Sequence, residues 1–246
     1  MKQELKKVAE ALAQRRHGVA LTGAGISVDS GIPDFRSPGG LWDRFDPMDY
    51  ASIHSFRQDP ARVWKMLVEL ESMVVDAKPN PGHTGLARLE LAGVLDGIVT
   101  QNSDNLHQEG GAQRVVEFHG NGNSLSCMGC GRQGPASRRP ELGMPPTCAC
   151  GSVFEPDVVF FGEQIPEAAM EGAMEMVRTC QVMLVIGTSA TVAPASMIPM
   201  MAKRSGALLV ELNLTATEIS GSCDISVHGG SSELMPRLAD LVEGML

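Results

Sequence analysis

Short apolar runs alternate along the chain with segments whose apolar positions recur every three or four residues. The runs HGVALT (17–22), GVLDGIVTQN (93–102), RVVEFH (114–119), PDVVFF (156–161), VMLVIGTS (182–189), ALLVELN (207–213) and CDISVHG (223–229) read as strands. Several are apolar on both faces, as in a parallel sheet covered by helices. Helical periodicity lies between them, over residues 60–76, 82–92, 166–179, 194–204 and 231–245. Ahead of the first run, Leu5, Val8, Ala9, Leu12 and Ala13 share one face of an amphipathic helix. The last helix carries Leu234, Leu238, Leu241, Val242 and Met245 on one face, with Ser231 or Ser232 as its expected cap. This alternation predicts an α/β fold with a doubly wound parallel sheet, whose ligands bind beyond the carboxyl ends of the strands.

Two stretches break the rhythm. Residues 37–80 are rich in Asp, Pro, Met and aromatics, and residues 120–154 in Gly, Pro and Cys. Both read as inserts that build a smaller lobe, leaving 1–36, 81–119 and 155–246 for the larger one. Charge changes the picture modestly. Twenty Lys and Arg against 29 Asp and Glu leave the 246-residue chain at −9, which argues against broad nucleic-acid binding and suits a cationic partner such as a lysine-rich peptide. The sequence has no run of eighteen apolar residues, so no membrane span is expected. The start, MKQELKKVAEALAQRR, lacks the apolar core of a signal peptide, which points to a cytoplasmic chain.

The cysteines carry the most specific metal signal. Cys127 and Cys130 form C-x-x-C, and Cys148 and Cys150 form C-x-C. Four thiolates in two close pairs can close a tetrahedral shell around Zn²⁺, and a shell with no open position is structural rather than catalytic. The competing reading, four buried or redox-active cysteines, fits poorly with a segment too short of apolar residues to fold without a staple. Cys180 and Cys223 lie in strand-like runs and read as core.

Gly23-Ala24-Gly25 follows a strand, so backbone N–H groups can approach a pyrophosphate there. On its own G-x-G is a weak signal, and the third fingerprint glycine is replaced by Val28. Two further polar turns at strand ends strengthen it: GTSATVAP (187–194), with Gly187, Thr188 and Ser189, and Asn213-Leu214. TQNSDNLH (100–107) and EFHGN (117–121) place Gln101, Asn102, Asp104 and His119 at or just beyond other strand ends. An imidazole with carboxamide and carboxylate neighbours can bind ribose hydroxyls and accept a proton near neutral pH. The remaining histidines, His17, His54, His83, His107 and His228, read as structural.

GAGISVDSGIPDFR, TQNSDNLH, HGN, the two cysteine pairs, PDVVFFGE and GTSATVAP together resemble, in order and spacing, the sirtuin (Sir2-like) NAD-dependent protein deacylases. The match runs from about residue 18 to the C-terminus and resembles a compact prokaryotic catalytic core. The resemblance implies a Rossmann-like NAD-binding lobe and a zinc-bearing small lobe. It also implies NAD⁺ as co-substrate and structural Zn²⁺. Gly23, Ala24, Gly25, Val28, Asp34, Phe35, Arg36, Gln101, Gly187, Thr188, Ser189, Asn213 and Leu214 would line the NAD site. Asn102, Ser103 and Asp104 would face the nicotinamide ribose and carboxamide, and Ile32 would close the nicotinamide pocket. The family carries Ile or Val where this chain has Ser103.

The same resemblance makes His119 the general base, with Asn102 beside it as a second catalytic residue. In that mechanism nicotinamide leaves as the acyl-amide oxygen attacks the ribose C1′. His119 then deprotonates a ribose hydroxyl, and water releases lysine and O-acyl-ADP-ribose. An acylated lysine peptide or protein would add as a strand between residues 158–163 and 191–196, touching Val159, Phe160, Phe161, Gly162, Glu163 and Val192. Members that prefer succinyl or malonyl groups carry a Tyr-x-x-Arg pair on the helix after the first insert, and Leu67 and Leu70 stand there in this chain. The implied substrates are acetyl-lysine and longer apolar acyl-lysines. Two other readings stay open on sequence: a mono-ADP-ribosyltransferase on a protein acceptor, and a non-catalytic NAD-sensing module.

Overall fold

The computed structural model describes residues 1–35 and 40–246. Its nine strands among these residues are β1 (Gly18–Thr22), β2 (Leu95–Thr100), β3 (Val115–Glu117), β4 (Gly120–Cys127), β5 (Gln133–Pro135), β6 (Phe154–Val158), β7 (Val182–Ile186), β8 (Leu208–Asn213) and β9 (Ile225–His228). The helices are α1 (Lys2–Arg15), α2 (Pro47–Tyr50), α3 (Ile53–Gln58), α4 (Pro60–Val74), α5 (Pro81–Leu91), α6 (Leu106–Glu109), α7 (Glu167–Thr179), α8 (Ile198–Arg204) and α9 (Ser231–Glu243). Six strands form one parallel sheet in the order β3-β2-β1-β7-β8-β9. The order reverses between β1 and β7, which opens a crevice at the carboxyl ends of those two strands.

Alternation along the strands feeds two cores. Ala20, Ile98, Leu184 and Val210 face α1, α5 and α9, whereas Val19, Val99, Met183 and Leu209 face α7 and α8. β1 and β7 are buried along their whole length, which explains their unbroken apolar runs.

The small lobe has its own core. Ile53, Phe56, Val63, Trp64 and Met66 of the helical insert pack with Leu125, Cys127, Cys148, Phe154 and Phe160. The Trp64 indole N–H donates to the Phe154 carbonyl at 2.8 Å, tying α4 to a three-stranded antiparallel sheet ordered β5-β4-β6.

Three local expectations change. The run at 156–161 is not a strand of the parallel sheet. β6 begins at Phe154 and ends at Val158 on an edge of the small sheet, antiparallel to β4, a position that accommodates Pro156. Beyond it, Phe161 turns away to bond Ala51 and Ile53 through its backbone. The helix expected from 194 starts as a 3₁₀ turn at Ala195–Met197, and α8 proper begins at Ile198 with Pro199 in its first turn. Neither serine caps α9: Gly230 stands at the cap without a side-chain bond, Ser231 is buried, and Ser232 Oγ has no hydrogen-bond partner among the described residues.

Candidate active site

The crevice holds a cleft of about 1500 Å³ bordered by both lobes. Its floor is built by close backbone approach. Gly25 N–H donates to the Gly187 carbonyl at 2.8 Å. A Cβ on Gly187 (φ 58°) would meet Ile26 N at 2.4 Å, and one on Gly25 would meet Gly187 O at 2.8 Å. Larger residues would force β1 and β7 apart at the switch point.

Polar side chains lock the neighbouring strand ends to that floor. Gln101 Nε2 donates to the Thr22 carbonyl (3.2 Å) and to Thr188 Oγ1 (3.0 Å). Asn213 accepts from Thr188 N–H and returns its own amide to the Thr188 carbonyl, both at 3.1 Å. Behind Asn213, buried Glu211 accepts from Asn213, Thr217 and Ser220. The carboxylate thereby pins the loop after β8.

Asn102 and Asp104 sit on the loop after β2. The Asn102 amide donates to the Gly23 carbonyl (3.3 Å), Ser27 Oγ (3.1 Å) and Asp104 Oδ2 (3.3 Å). Ser27 Oγ donates to Asp104 Oδ2 at 2.6 Å, and Asp104 Oδ1 accepts the Leu106 N–H at 3.0 Å. Asn105 takes the left-handed conformation (φ 62°) that lets the loop turn into α6.

His119 follows β3, its Nδ1 3.3 Å from the Gln101 carbonyl. A carbonyl can only accept, so Nδ1 carries the proton and Nε2 keeps its lone pair. Burial pushes the imidazole below its ordinary range, opposed by the bond to Gln101. The ring is therefore neutral near pH 7 and able to take a proton.

The cleft is lined by Gly23, Ala24, Gly25, Val28, Asp34, Phe35, Gln101, Asn102, Ser103, Asp104, His119, Gly187, Thr188, Ser189, Asn213 and Leu214. Its other wall includes Leu67, Leu70, Val159, Phe160, Phe161, Gly162, Glu163 and Val192. Ile32 is not among the lining residues; it is half-buried, and its N–H bonds the Ser27 carbonyl at 3.3 Å. Arg36 lies outside the described residues. Ser27, Asn80 and His83 were not picked out from sequence, although they brace the site. Asn80 donates to the Ile26 carbonyl (2.7 Å) and Ser30 Oγ (2.9 Å), and His83 Nε2 lies 3.3 Å from Ser27 Oγ. Their signal was the Asn80-Pro-Gly-His83 start of α5, where the two form a capping box.

The four sulfur atoms of Cys127, Cys130, Cys148 and Cys150 lie within 4.8 Å of one another, with 3.5 Å between Cys127 and Cys150 and 3.8 Å between Cys130 and Cys148. A tetrahedron with Zn–S bonds near 2.3 Å has edges of about 3.8 Å, so the set fits one zinc ion. The Cys130 backbone N–H pulls the Cys127 thiol down to about 6, favouring the thiolate that binds metal. None of the four cysteines lines the cleft.

The sequence model of the Sir2 family matches residues 23–194. The "NAD-dependent protein deacylase 2" of Pyrobaculum aerophilum is 43% identical over 240 residues, covering 97% of this chain and 96% of that protein. A solved Sir2 structure with a deacetylated p53 peptide and 3′-O-acetyl ADP-ribose is similar at a TM-score of 0.92 and 33% identity, with 98% of this chain and 99% of that one covered. Another, Sir2Af2 bound to a myristoylated histone peptide, matches at TM-score 0.84 and 33% identity, covering 99% and 98%.

Proposed function

This chain belongs to the Sir2 family, and from that premise we infer that its cleft removes acyl groups from protein lysines with NAD as co-substrate. The products are nicotinamide, free lysine and O-acyl-ADP-ribose. The observation that carries the reading is the pairing of His119, protonated at Nδ1 by its bond to Gln101, with Asn102 and Asp104 in the crevice where the strand order reverses.

Each residue then has a task that its surroundings support. The Gly23–Gly25 turn and the Thr188–Asn213 pair offer backbone and side-chain polar groups to the pyrophosphate and adenosine end. Asn102 and Asp104 hold the nicotinamide ribose. His119 Nε2 takes the proton from a ribose hydroxyl, which then attacks the acyl carbon. An amide oxygen is a poor nucleophile toward C1′, so the cleft supplies proximity and excludes water, with Phe35 over the reacting centre. Zinc, held by the four cysteines, would stabilise the small lobe and take no part in the reaction. The division into a larger lobe (1–36, 81–119, 155–246) and inserts at 37–80 and 120–154, with β6 and Phe160 packing on the small lobe rather than the larger one, assigns NAD to the first and lysine acyl recognition to the seam.

Backbone pairing narrows where a substrate strand can add. Phe161 spends its N–H and carbonyl on Ala51 and Ile53, and Phe160 N–H goes to the Glu163 carboxylate at 2.8 Å. The Glu163 N–H in turn goes back to the Phe160 carbonyl at 3.0 Å, so a peptide pairs at Gly162, facing Val192 across the cleft. The acyl chain meets Leu67 and Leu70. Arg139, which lines the same cleft as Lys78 does, is already paired with Glu71, so a terminal acyl carboxylate finds that guanidinium occupied. Acetyl and longer apolar acyl groups fit; succinyl does not.

Incubating the protein with NAD and an acetyl-lysine peptide, followed by mass spectrometry, tests the function. Loss of the acetyl group with formation of O-acetyl-ADP-ribose is expected. ADP-ribose added to the peptide or protein, with the acetyl group retained, would replace this reading with a transferase.

A further inference from the structure

Asn102 is held at two points, its side chain and its backbone. At the side chain, buried Ser27 joins it to Asp104 and to His83. His83 Nδ1 accepts the Asn80 N–H at 3.2 Å, so its proton sits on Nε2 and is donated to Ser27 Oγ. At the backbone, the Asn102 N–H donates to Thr100 Oγ1 at 3.1 Å. Thr22 and Thr100 end the adjacent parallel strands β1 and β2 in register. Thr22 Oγ1 lies 2.9 Å from Thr100 Oγ1 and 2.8 Å from His107 Nε2. All three side chains are buried, and His107 Nδ1 has no hydrogen-bond partner among the described residues.

A hydroxyl has one proton, so the His107 tautomer decides where the Thr22 proton goes. Were Nδ1 protonated, a buried N–H would be left without an acceptor, a rarer and costlier defect than an unused lone pair. With the proton on Nε2, His107 donates to Thr22 Oγ1, and Thr22 sends its own proton to Thr100. The Thr100 oxygen then faces Asn102 as a fixed acceptor in a polarised chain. The His107 ring packs edge-on against His83, with centroids 4.9 Å apart, which restrains it.

We propose that His107 is a positioning residue for Asn102, acting through the Thr22–Thr100 pair to fix the backbone that aims the Asn102 carboxamide into the cleft. The proposal rests on Asn102 belonging to the reaction centre. A His107 that only filled space would matter to stability and not to turnover.

The test compares Thr22→Val, His107→Phe and His107→Gln, with Asn102→Ala as reference, on an acetyl-lysine peptide. Thr22→Val and His107→Phe should each lower kcat by about tenfold to a hundredfold, the scale of a misplaced reacting group. KM for NAD should stay within about threefold, because the effect is on the chemical step. His107→Gln, whose amide N–H can approach the Nε2 position, should recover most of the loss. The Thr22→Val/His107→Phe double variant should be no worse than the poorer single one, because both break one chain. Wild-type kcat in Thr22→Val overturns the proposal even if His107→Phe fails to fold. So does a His107→Phe variant that loses Tm but keeps its kcat. A severe Asn102→Ala beside an unimpaired Thr22→Val rejects the relay alone, whereas full kcat in Asn102→Ala rejects the reading of the site and the relay with it.

Discussion

The two walls of the cleft are built on opposite principles. The sheet wall consists of strand ends whose polar groups are spent on one another: Gln101 on Thr22 and Thr188, Asn213 on Thr188, Asn102 on Ser27 and Gly23. The lobe wall offers Met66, Leu67, Leu70, Leu125 and Val158. Groups that hold one another in fixed directions accept only a ligand whose own polar groups match the bonding capacity left over. An apolar wall separates chains differing by one methylene only about 10- to 200-fold. The cofactor is therefore fixed tightly, and the acyl group loosely.

The sharpest way to break this contrast is His119→Ala. On the proposed reading, loss of the base should lower kcat by roughly 10²–10⁴-fold, while calorimetric NAD binding persists because Gly23, Thr188 and Asn213 are untouched. A loss under about tenfold would place the reaction elsewhere. On the lobe wall, succinyl-lysine peptide should show kcat/KM about a hundredfold below acetyl-lysine, since its carboxylate meets leucines. Introducing Leu67→Tyr with Leu70→Arg should narrow that gap; equal efficiencies in the unaltered protein would refute the apolar wall.

The staple behind the lobe wall comes next. Cys148→Ser should release zinc, as read by metal analysis, and weaken the lobe whose core includes Cys127 and Cys148. A loss of about 2 kcal/mol would lower Tm by roughly 4–8 °C in a chain of this size.

On turnover, the smallest effect is that of pH. Burial holds His119 below its ordinary value of 6.5, so the base stays unprotonated into mildly acidic solution. The acid limb of the kcat/KM profile should have its midpoint below pH 6.5. Burial likewise pulls His83 down to about 4 and His107 to about 3, from 6.5. The unfolded chain takes up protons below pH 6.5 and the folded one does not. Stability is thus unaffected above that pH and falls as pH drops toward 4 and 3, by up to about 1.4 kcal/mol per unit for each histidine. Tm measured between pH 7 and 4 reads this directly.

What the sequence made legible follows from how local each signal is. The buried runs of β1 and β7, the helix face of Leu234 and Leu238, and two cysteine pairs are patterns within a few residues. His119 could be singled out because a glycine and a change of composition follow it. Ser27, Asn80, His83, Thr22, Thr100 and His107 are common residue types with little local pattern. They matter because β1, β2, α5 and α6 bring them together across 56 to 85 residues of chain. β6 misled for the same reason: its apolar residues read as parallel-sheet core, and only the tertiary partner, β4, sets their direction.

The indole bond from Trp64 to Phe154 spans 90 residues. During synthesis at about 5–20 residues per second, α4 leaves the ribosome roughly 5–18 seconds before the strand that covers it. Cys148 and Cys150 arrive in that same interval, so metal capture cannot precede it. Until then Val63, Trp64 and Met66 lack Phe154 and Phe160, the last members of their core to be made. The apolar seam between the lobes is thus, at birth, incompletely covered.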